Sequence, residues 1–109
     1  MDKVVKEAFF LSILSCPTVL AHSETFSVQG KLIVVTEYCD GGTLQNLMDT
    51  GLGFTEPMVI QVLSHIALAL GHCHSLKVAH RDVKPENIIY NAQQRLFKVR
   101  ITNCRFHLV

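Results

Sequence analysis

The octet His-Arg-Asp-Val-Lys-Pro-Glu-Asn at residues 80–87 carries the side chains of this sequence that are best suited to chemistry. It places a carboxylic acid, Asp82, a cation, Lys84, and a carboxamide, Asn87, close together. Such a set fits phosphoryl transfer, in which a carboxylate orients the attacking hydroxyl, an ammonium neutralises the phosphate and a side-chain oxygen binds a metal ion. The apolar run Ile88-Ile89-Tyr90 that follows predicts a strand, which would hold the loop in place.

The octet resembles the catalytic loop of protein kinases, and so many fixed residue types in one loop are hard to obtain by chance. The resemblance implies that Asp82 orients the substrate hydroxyl, that Lys84 neutralises the transferred phosphate and that Asn87 binds a metal ion. It also indicates a class, because Asp-x-Lys-Pro-x-Asn is similar to the serine/threonine kinases rather than to the tyrosine kinases.

An ordered alternation of helices and strands is predicted ahead of this loop. A helix over residues 2–15 ends before Pro17. A hairpin follows, with strands at 19–26 and 31–38 around the turn Ser27-Val28-Gln29-Gly30. The second of these strands reads Leu-Ile-Val-Val near its start, and apolar residues on both faces are typical of a buried strand.

Two helices are predicted between this hairpin and the loop. Gly41-Gly42 interrupts the strand, and Thr43 caps a short helix that continues to Met48. Thr55-Glu56-Pro57 predicts the start of the longest helix, because a hydroxyl cap and a proline in the first turn are common there. Apolar residues at helical spacing predict that one face of this helix is buried: Val59, Val62, Leu63, Ile66, Leu70 and Cys73.

This order of elements is similar to the middle of a protein kinase domain over nearly the whole chain. The resemblance predicts an α+β, protein-kinase-like fold in partial form: helix C, part of the N-lobe sheet, the hinge, the first C-lobe helices and the catalytic loop. It divides the chain into an N-lobe portion at 1–38 and the hinge with the start of the C-lobe at 39–109. After the octet we expect two short strands, at 88–90 and 96–101.

The resemblance also implies residues that would hold ATP. Glu37-Tyr38-Cys39-Asp40-Gly41-Gly42 looks like the kinase hinge. Thr36 would then be the gatekeeper, and the backbone groups of Glu37 and Cys39 would meet the adenine edge. Ile89, on the strand after the octet, is implied as a further nucleotide contact. The hinge and loop motifs are most similar to those of the NIMA-related (NEK) kinases.

The N-terminal residues admit two interpretations. Lysines precede the apolar run 8–14, and Val19-x-Ala21 resembles a cleavage site, a pattern that is typical of a signal peptide. Against it, Glu7 lies ten residues before Pro17, where kinases place the glutamate of helix C. We therefore expect residues 1–15 to belong to helix C, Glu7 to serve the nucleotide site and the protein to be cytoplasmic or nuclear.

Three departures from the kinase pattern follow the last predicted strand. Asn103-Cys104-Arg105 stands where kinases have Asp-Phe-Gly. Asn103 keeps one oxygen for a metal ion but lacks the negative charge that magnesium prefers. Cys104 is smaller than the aromatic residue it replaces, and Arg105 removes the backbone freedom of a glycine. The metal residues implied by the resemblance are thus Asn87 and Asn103, beside ATP and magnesium as the family's cofactors.

Three functions remain open at this point. The chain is an incomplete piece of a serine/threonine kinase, a pseudokinase-type binding or regulatory module, or a non-functional truncated product. Because it begins within the predicted helix C and ends at Val109, we expect it to lack a glycine-rich loop and an activation loop. We therefore predict no kinase activity for the isolated chain, and a protein substrate or a partner kinase as its partner.

Composition excludes several other classes. A net charge of +1 without runs of like charge gives no footprint for nucleic acid. The apolar stretch 58–70 is interrupted by polar side chains and too short to cross a bilayer, so we predict a core helix and no membrane contact. The four cysteines form no Cys-x-x-Cys pair, which favours reduced thiols over a zinc or redox motif. A hydrophobic content of 49% predicts a folded chain.

Overall fold

The computed structural model describes residues 13–79, 83–101 and 107–108. In chain order its elements are β1 (His22–Val28), β2 (Lys31–Thr36), α1 (Leu44–Asp49), α2 (Glu56–Ser75), β3 (Val78–Ala79), a 3-10 turn (Pro85–Asn87), β4 (Ile88–Asn91), β5 (Leu96–Val99) and β6 (His107–Leu108). The fold combines helices with two-stranded antiparallel sheets, in agreement with the predicted α+β class. The helix predicted over 2–15 lies almost entirely outside the described residues, and Leu14 and Ser15 are not helical.

The first hairpin has a tighter turn than the sequence pattern predicted. Gln29 and Gly30 both have positive φ, +50° and +76°, and together they connect β1 directly to β2. Two such residues form a type I′ turn, whose twist matches that of paired strands. Ser27 and Val28 are therefore strand residues, and the predicted four-residue turn is wrong.

The strand β2 is less buried than predicted. Ile33 is 38% exposed, and Val34 and Val35 are only half-buried. Within the described part of the chain β2 pairs with β1 alone, and of the residues 33–35 only Val34 packs against a buried cluster. Apolar residues on both faces allow a strand to be buried, but whether it is buried depends on which elements pack against it.

Both predicted helices begin at their predicted caps. The Thr43 hydroxyl accepts a hydrogen bond from the Asn46 N–H at 3.1 Å, and the Asn46 side chain accepts one from the Thr43 N–H at 2.9 Å. This reciprocal pair is a capping box. Thr55 caps α2 by accepting a hydrogen bond from the Met58 N–H at 3.4 Å.

One side of α2 forms the centre of the core. Val62, Ala69 and Cys73 are buried on it, while Val59 and Leu63 are 42% and 60% exposed. The predicted apolar face is therefore only partly buried. Among the described elements β3 and β5 pack most extensively on α2, and several of its apolar side chains remain exposed: Val59, Ile60, Leu63 and Leu68.

Two side chains of α2 hold the β4–β5 hairpin by its backbone. The Nδ1 atom of His65 accepts a hydrogen bond from the Phe97 N–H at 3.0 Å, and the Gln61 amide donates one to the Arg95 carbonyl at 3.1 Å. Burial lowers the pKa of His65, which keeps the imidazole in the neutral form that this acceptor role requires. The polar residues that interrupt the apolar pattern of α2 thus fix the strands that follow the catalytic-type loop.

The described core has two apolar clusters. One joins the segment before β1 to α2, β3 and the end of β5, and contains Leu14, Val19, Ala69, Cys73, Val78, Val99 and Ile101. The other joins α2 to the small hairpin through Val62, Ile88 and Phe97. Both clusters use α2, so this helix positions the first hairpin and the loop region relative to each other.

The helix α2 is longer than the apolar stretch on which the membrane prediction rested. By length and composition its 20 residues make it the one described helix that could cross a bilayer, and 17% of an 18-residue apolar stretch of it is buried within the described structure. The length argument made from residues 58–70 is therefore wrong. The packing of α2 on β5 and its hydrogen bonds to the β4–β5 hairpin join one side of the helix to the rest of the described fold.

Candidate functional site

A pocket of about 410 Å³ lies between the end of β2, the segment that follows it and the start of β4. It is lined by Leu20, Val34, Thr36, Glu37, Tyr38, Cys39, Gly42, Thr43, Ile89 and Arg100. Four of the residues expected to contact a nucleotide therefore line one pocket: Thr36, Glu37, Cys39 and Ile89. The fifth, Glu7, lies outside the described residues.

The pocket combines apolar walls with backbone hydrogen-bonding groups. Leu20 and Ile89 are buried, with 6% and 9% of their surfaces exposed. The Glu37 N–H donates to the Ala21 carbonyl at 2.9 Å, and the Thr36 hydroxyl donates to the Glu37 carbonyl at 3.2 Å. Among the described residues nothing accepts a hydrogen bond from the Cys39 N–H, which leaves this donor for a ligand or water. A flat, mostly apolar group with polar atoms along one edge fits such a slot.

A close approach of two backbones forms one side of the pocket. The Gly41 N–H donates to the Tyr90 carbonyl, and the Tyr90 N–H donates to the Gly42 carbonyl, both at 2.9 Å. A Cβ atom at residue 41 would lie 2.6 Å from the Tyr90 carbonyl oxygen, which is too close for any residue other than glycine. Gly42 has a φ of +74°, which also favours glycine. The glycine pair therefore joins the segment 37–42 between β2 and α1, called the linker below, to β4.

A buried ion pair lies behind this linker. The Lys98 ammonium is 2.5 Å from Oε1 of Glu37, and the two side chains are 5% and 24% exposed. Oε2 of Glu37 accepts a hydrogen bond from the Ala21 N–H at 3.0 Å, and the Cys39 thiol donates to Oε1 at 3.4 Å. One carboxylate thus connects β5, the segment before β1 and the linker.

The surroundings of this carboxylate shift two pKa values in opposite directions. Burial alone would raise the pKa of Glu37, but the hydrogen bonds from Lys98, Ala21 and Cys39 and the charge of Lys98 lower it below its usual value. Burial, together with the hydrogen bond and charge of Glu37, raises the pKa of the Cys39 thiol. Glu37 is therefore ionised and Cys39 protonated at neutral pH.

Sequence reasoning missed the role of Lys98. The only available signal was a lysine inside the apolar strand Leu96–Val99, at a position that the β4–β5 pairing turns inward. A charged residue in such a run is rarely buried without a partner. The partner could not be read from the sequence, because Glu37 is 61 residues away.

In the described part of the catalytic-type loop, Lys84 is exposed to solvent whereas Asn87 is buried. Lys84 is half exposed, and its Nζ atom lies 4.0 Å from Glu86. Asn87 is 4% exposed; its N–H donates to the Lys84 carbonyl at 2.9 Å, and its carbonyl accepts from the Arg100 N–H at 2.6 Å. Because Arg100 lines the pocket, the last bond connects the loop to the pocket lining. Asp82 lies outside the described residues.

The structure tests the predicted metal site only in part. Asn103 falls outside the described residues, and the described ones contain no group of three histidine, cysteine, aspartate or glutamate side chains that could hold a metal ion. Asn87 is the one predicted ligand whose position is described. Arg100, directly after β5, brings a positive charge to the pocket lining that the sequence analysis did not anticipate.

Comparison with known proteins identifies the family. The protein kinase domain matches residues 1–103 of the chain. The chain belongs to the protein kinase family. The fold predicted from the octet, the hinge-like segment and the element order is thereby confirmed as part of a kinase domain.

Serine/threonine kinases are among the relatives of the chain. It is 33% identical to the human serine/threonine-protein kinase Nek5 over 86% of its own length, and 36% identical to the mouse serine/threonine-protein kinase Nek3 over 76%. It is 41% identical to the mouse MAP kinase-activated protein kinase 5 over 72%. NEK kinases are among the relatives, as predicted, together with other serine/threonine kinases. The chain spans 14, 17 and 18% of the length of these three proteins.

Proposed function

We propose that this chain is the hinge and catalytic-loop part of a serine/threonine protein kinase domain, whose activity is transfer of the ATP γ-phosphate to protein hydroxyl groups. The observation that carries the proposal is the convergence of Thr36, Glu37, Cys39 and Ile89 on one pocket. These residues come from two segments separated by 50 positions, and the kinase resemblance of the sequence alone implies each of them as a nucleotide contact.

The adenine ring would lie between Leu20 and Ile89. Both side chains are buried and apolar, and stacking a flat ring between them removes apolar surface from water. The Cys39 N–H would donate to the adenine edge, and the Glu37 carbonyl would accept from its amino group. We propose that the boundary between the lobes falls at residues 38 and 39, directly at this linker.

The catalytic loop would serve the other end of the nucleotide. Asp82 would orient the substrate hydroxyl, and Lys84, which is half exposed beside the loop, would reach the transferred phosphate. Asn87 would hold a magnesium ion through its side-chain oxygen. When bound, the metal neutralises charge that develops on the phosphate oxygens. The buried Asn87 backbone, bonded to Lys84 and Arg100, supports the position of the loop relative to the pocket.

We further propose that the 109-residue chain does not catalyse this transfer. Asn103 replaces the carboxylate that binds magnesium between the phosphates, and a neutral amide binds a hard cation less strongly. A specific observation favours a pseudokinase-type module as the second candidate. Arg100 lines the pocket and supplies a positive side chain to a nucleotide site in which the metal-binding carboxylate is missing. Such a site would bind a nucleotide without magnesium, in the manner of a regulatory ligand.

A thermal melt with nucleotide tests the binding proposal. ATP raises the Tm of the purified chain if it binds the folded state. The variant Cys39→Pro removes the N–H donor, and Cys39→Ala, which loses the same thiol but keeps the N–H, is its matched control. We expect ATP to shift the Tm of Cys39→Ala and not of Cys39→Pro. Equal shifts for the two variants would contradict an adenine edge at residue 39.

Magnesium and activity separate the two candidates. A Tm shift by ATP that magnesium leaves unchanged supports the pseudokinase-type module, and a shift that requires magnesium supports a kinase site. Phosphate transfer to a mixed protein substrate that disappears in Asp82→Asn would overturn the proposed inactivity. A cytoplasmic or nuclear location, which we propose from the resemblance of residues 1–15 to helix C of kinases, is checked by imaging a tagged chain.

A further inference from the structure

The cysteines Cys16 and Cys73 lie next to a contact between distant parts of the chain. The Ser15 N–H donates a hydrogen bond to Nε2 of His72 at 3.0 Å, and the two cysteines directly follow these residues. The contact joins the segment before β1 to the last turn of α2. It therefore joins the two segments that carry these thiols, which are 57 positions apart in the sequence.

Both thiols belong to the same apolar cluster. Cys73 is one of its buried members, with 1% of its surface exposed, and Cys16 packs against the cluster as a partly buried residue. Burial raises the pKa of Cys73, and so does the charge of the Cys16 thiolate, which is close enough to be felt there. Each described cysteine is a free thiol.

The two thiols differ in their access to solvent. Cys16 lines an open pocket of about 470 Å³ together with Glu37 and Lys98. Cys73 does not line it. A small oxidant in this pocket therefore meets Cys16 first. The Cys73 sulfur would react only with a group that reaches it from within the cluster.

We propose that Cys16 and Cys73 form a reversible disulfide when the protein meets a hydroperoxide. The Cys16 thiolate attacks one peroxide oxygen; the O–O bond breaks, and Cys16 becomes a sulfenic acid while the leaving oxygen takes up a proton. The Cys73 sulfur then attacks the Cys16 sulfur; an S–S bond forms, the S–O bond breaks, and the oxygen leaves as water with the proton of Cys73. Two electrons pass from the thiols to the peroxide, and a dithiol reductant returns them.

The disulfide would fix the segment before β1 to α2. This segment leads through Val19 to Leu20, which forms a wall of the nucleotide pocket. A cross-link over 57 residues also restricts the unfolded chain strongly. We therefore expect the oxidised protein to melt roughly 10 °C or more above the reduced protein.

Peptide mapping of the peroxide-treated chain tests the proposal. Hydrogen peroxide should produce one intramolecular disulfide that joins the peptides of Cys16 and Cys73, and a dithiol reductant should reverse it. Cys16→Ser should abolish both the bond and the rise in Tm. Cys39→Ser removes the other half-buried thiol among the described residues, and it should change neither the disulfide nor the rise in Tm.

A probe of the intermediate gives an independent readout. In Cys73→Ala the sulfenic acid of Cys16 should persist and react with a 1,3-diketone reagent, at a yield several-fold above that of the parent chain. If Cys73→Ala does not fold, the map of the parent chain and of Cys16→Ser decides alone. A disulfide to Cys39 or Cys104, a bond only between two chains, or oxidation of Cys16 without a bond would overturn the proposal.

Discussion

The ion pair between Lys98 and Glu37 gives the sharpest test of how the linker is held. The substitution Glu37→Gln removes the negative charge from an ammonium that is 5% exposed. Removal of one partner of a buried pair costs about 3–5 kcal/mol, because the remaining charge stays in the interior without compensation. Among the described residues Glu37 is the acceptor bonded to this ammonium, so we expect a value in that range.

The reverse substitution should cost less. Lys98→Met leaves a carboxylate that is 24% exposed and still accepts hydrogen bonds from the Ala21 N–H and the Cys39 thiol. We expect a loss of about 1–3 kcal/mol in the free energy of unfolding, the cost of a partly satisfied polar group. The double variant should be more stable than the sum of the single losses predicts, by about 1–3 kcal/mol of coupling.

Urea unfolding followed by far-ultraviolet circular dichroism measures these differences. Lys31→Met, at an exposed lysine at the start of β2, is the matched control and should change stability by less than about 0.5 kcal/mol. Additive effects of the two single variants would refute the pair as an energetic unit. A larger loss for Lys98→Met than for Glu37→Gln would refute the reasoning from burial.

Three further predictions concern the elements around the pocket. Because burial lowers the pKa of His65, the unfolded chain takes up a proton before the folded chain does as the pH falls below about 6.5, and the folded state should lose stability there. A measurement of Tm against pH should show this loss, and His65→Gln should make Tm less dependent on pH. Gly41→Ala should lower the free energy of unfolding in urea by about 1–3 kcal/mol, because its Cβ would lie 2.6 Å from the Tyr90 carbonyl oxygen. Gly71→Ala on α2, whose Cβ would meet nothing within 4 Å, should raise it by about 0.5–1 kcal/mol. Equal effects of the two variants would contradict the close approach at residue 41. Thr43→Ala should cost about 1 kcal/mol through the lost capping box, and Thr43→Ser should restore most of it; an unchanged unfolding midpoint would mean that the cap is not energetically coupled to the fold.

Local chemistry explains the parts of the fold that the sequence predicted correctly. The helix starts at Thr43 and Thr55 were predictable because each hydroxyl cap bonds a backbone N–H only three residues further along the chain. The octet and the hinge segment indicated the family because their residue types are dictated by one reaction. The grouping of Thr36, Cys39 and Ile89 was inferred from that family and not from their spacing.

Burial and the pairing of distant charges were decided only by the tertiary structure. The apolar pattern of β2 and of α2 predicted buried faces, yet Ile33 and Leu63 are exposed, because a pattern records what a side chain tolerates and not what covers it. Nothing in the sequence indicates that Lys98 pairs with Glu37, 61 residues away, or that Ser15 contacts His72, 57 residues away. The sequence by itself determined the local elements and the family; the contacts that position the linker, the loop and the two thiols depend on which surfaces α2 brings together in space.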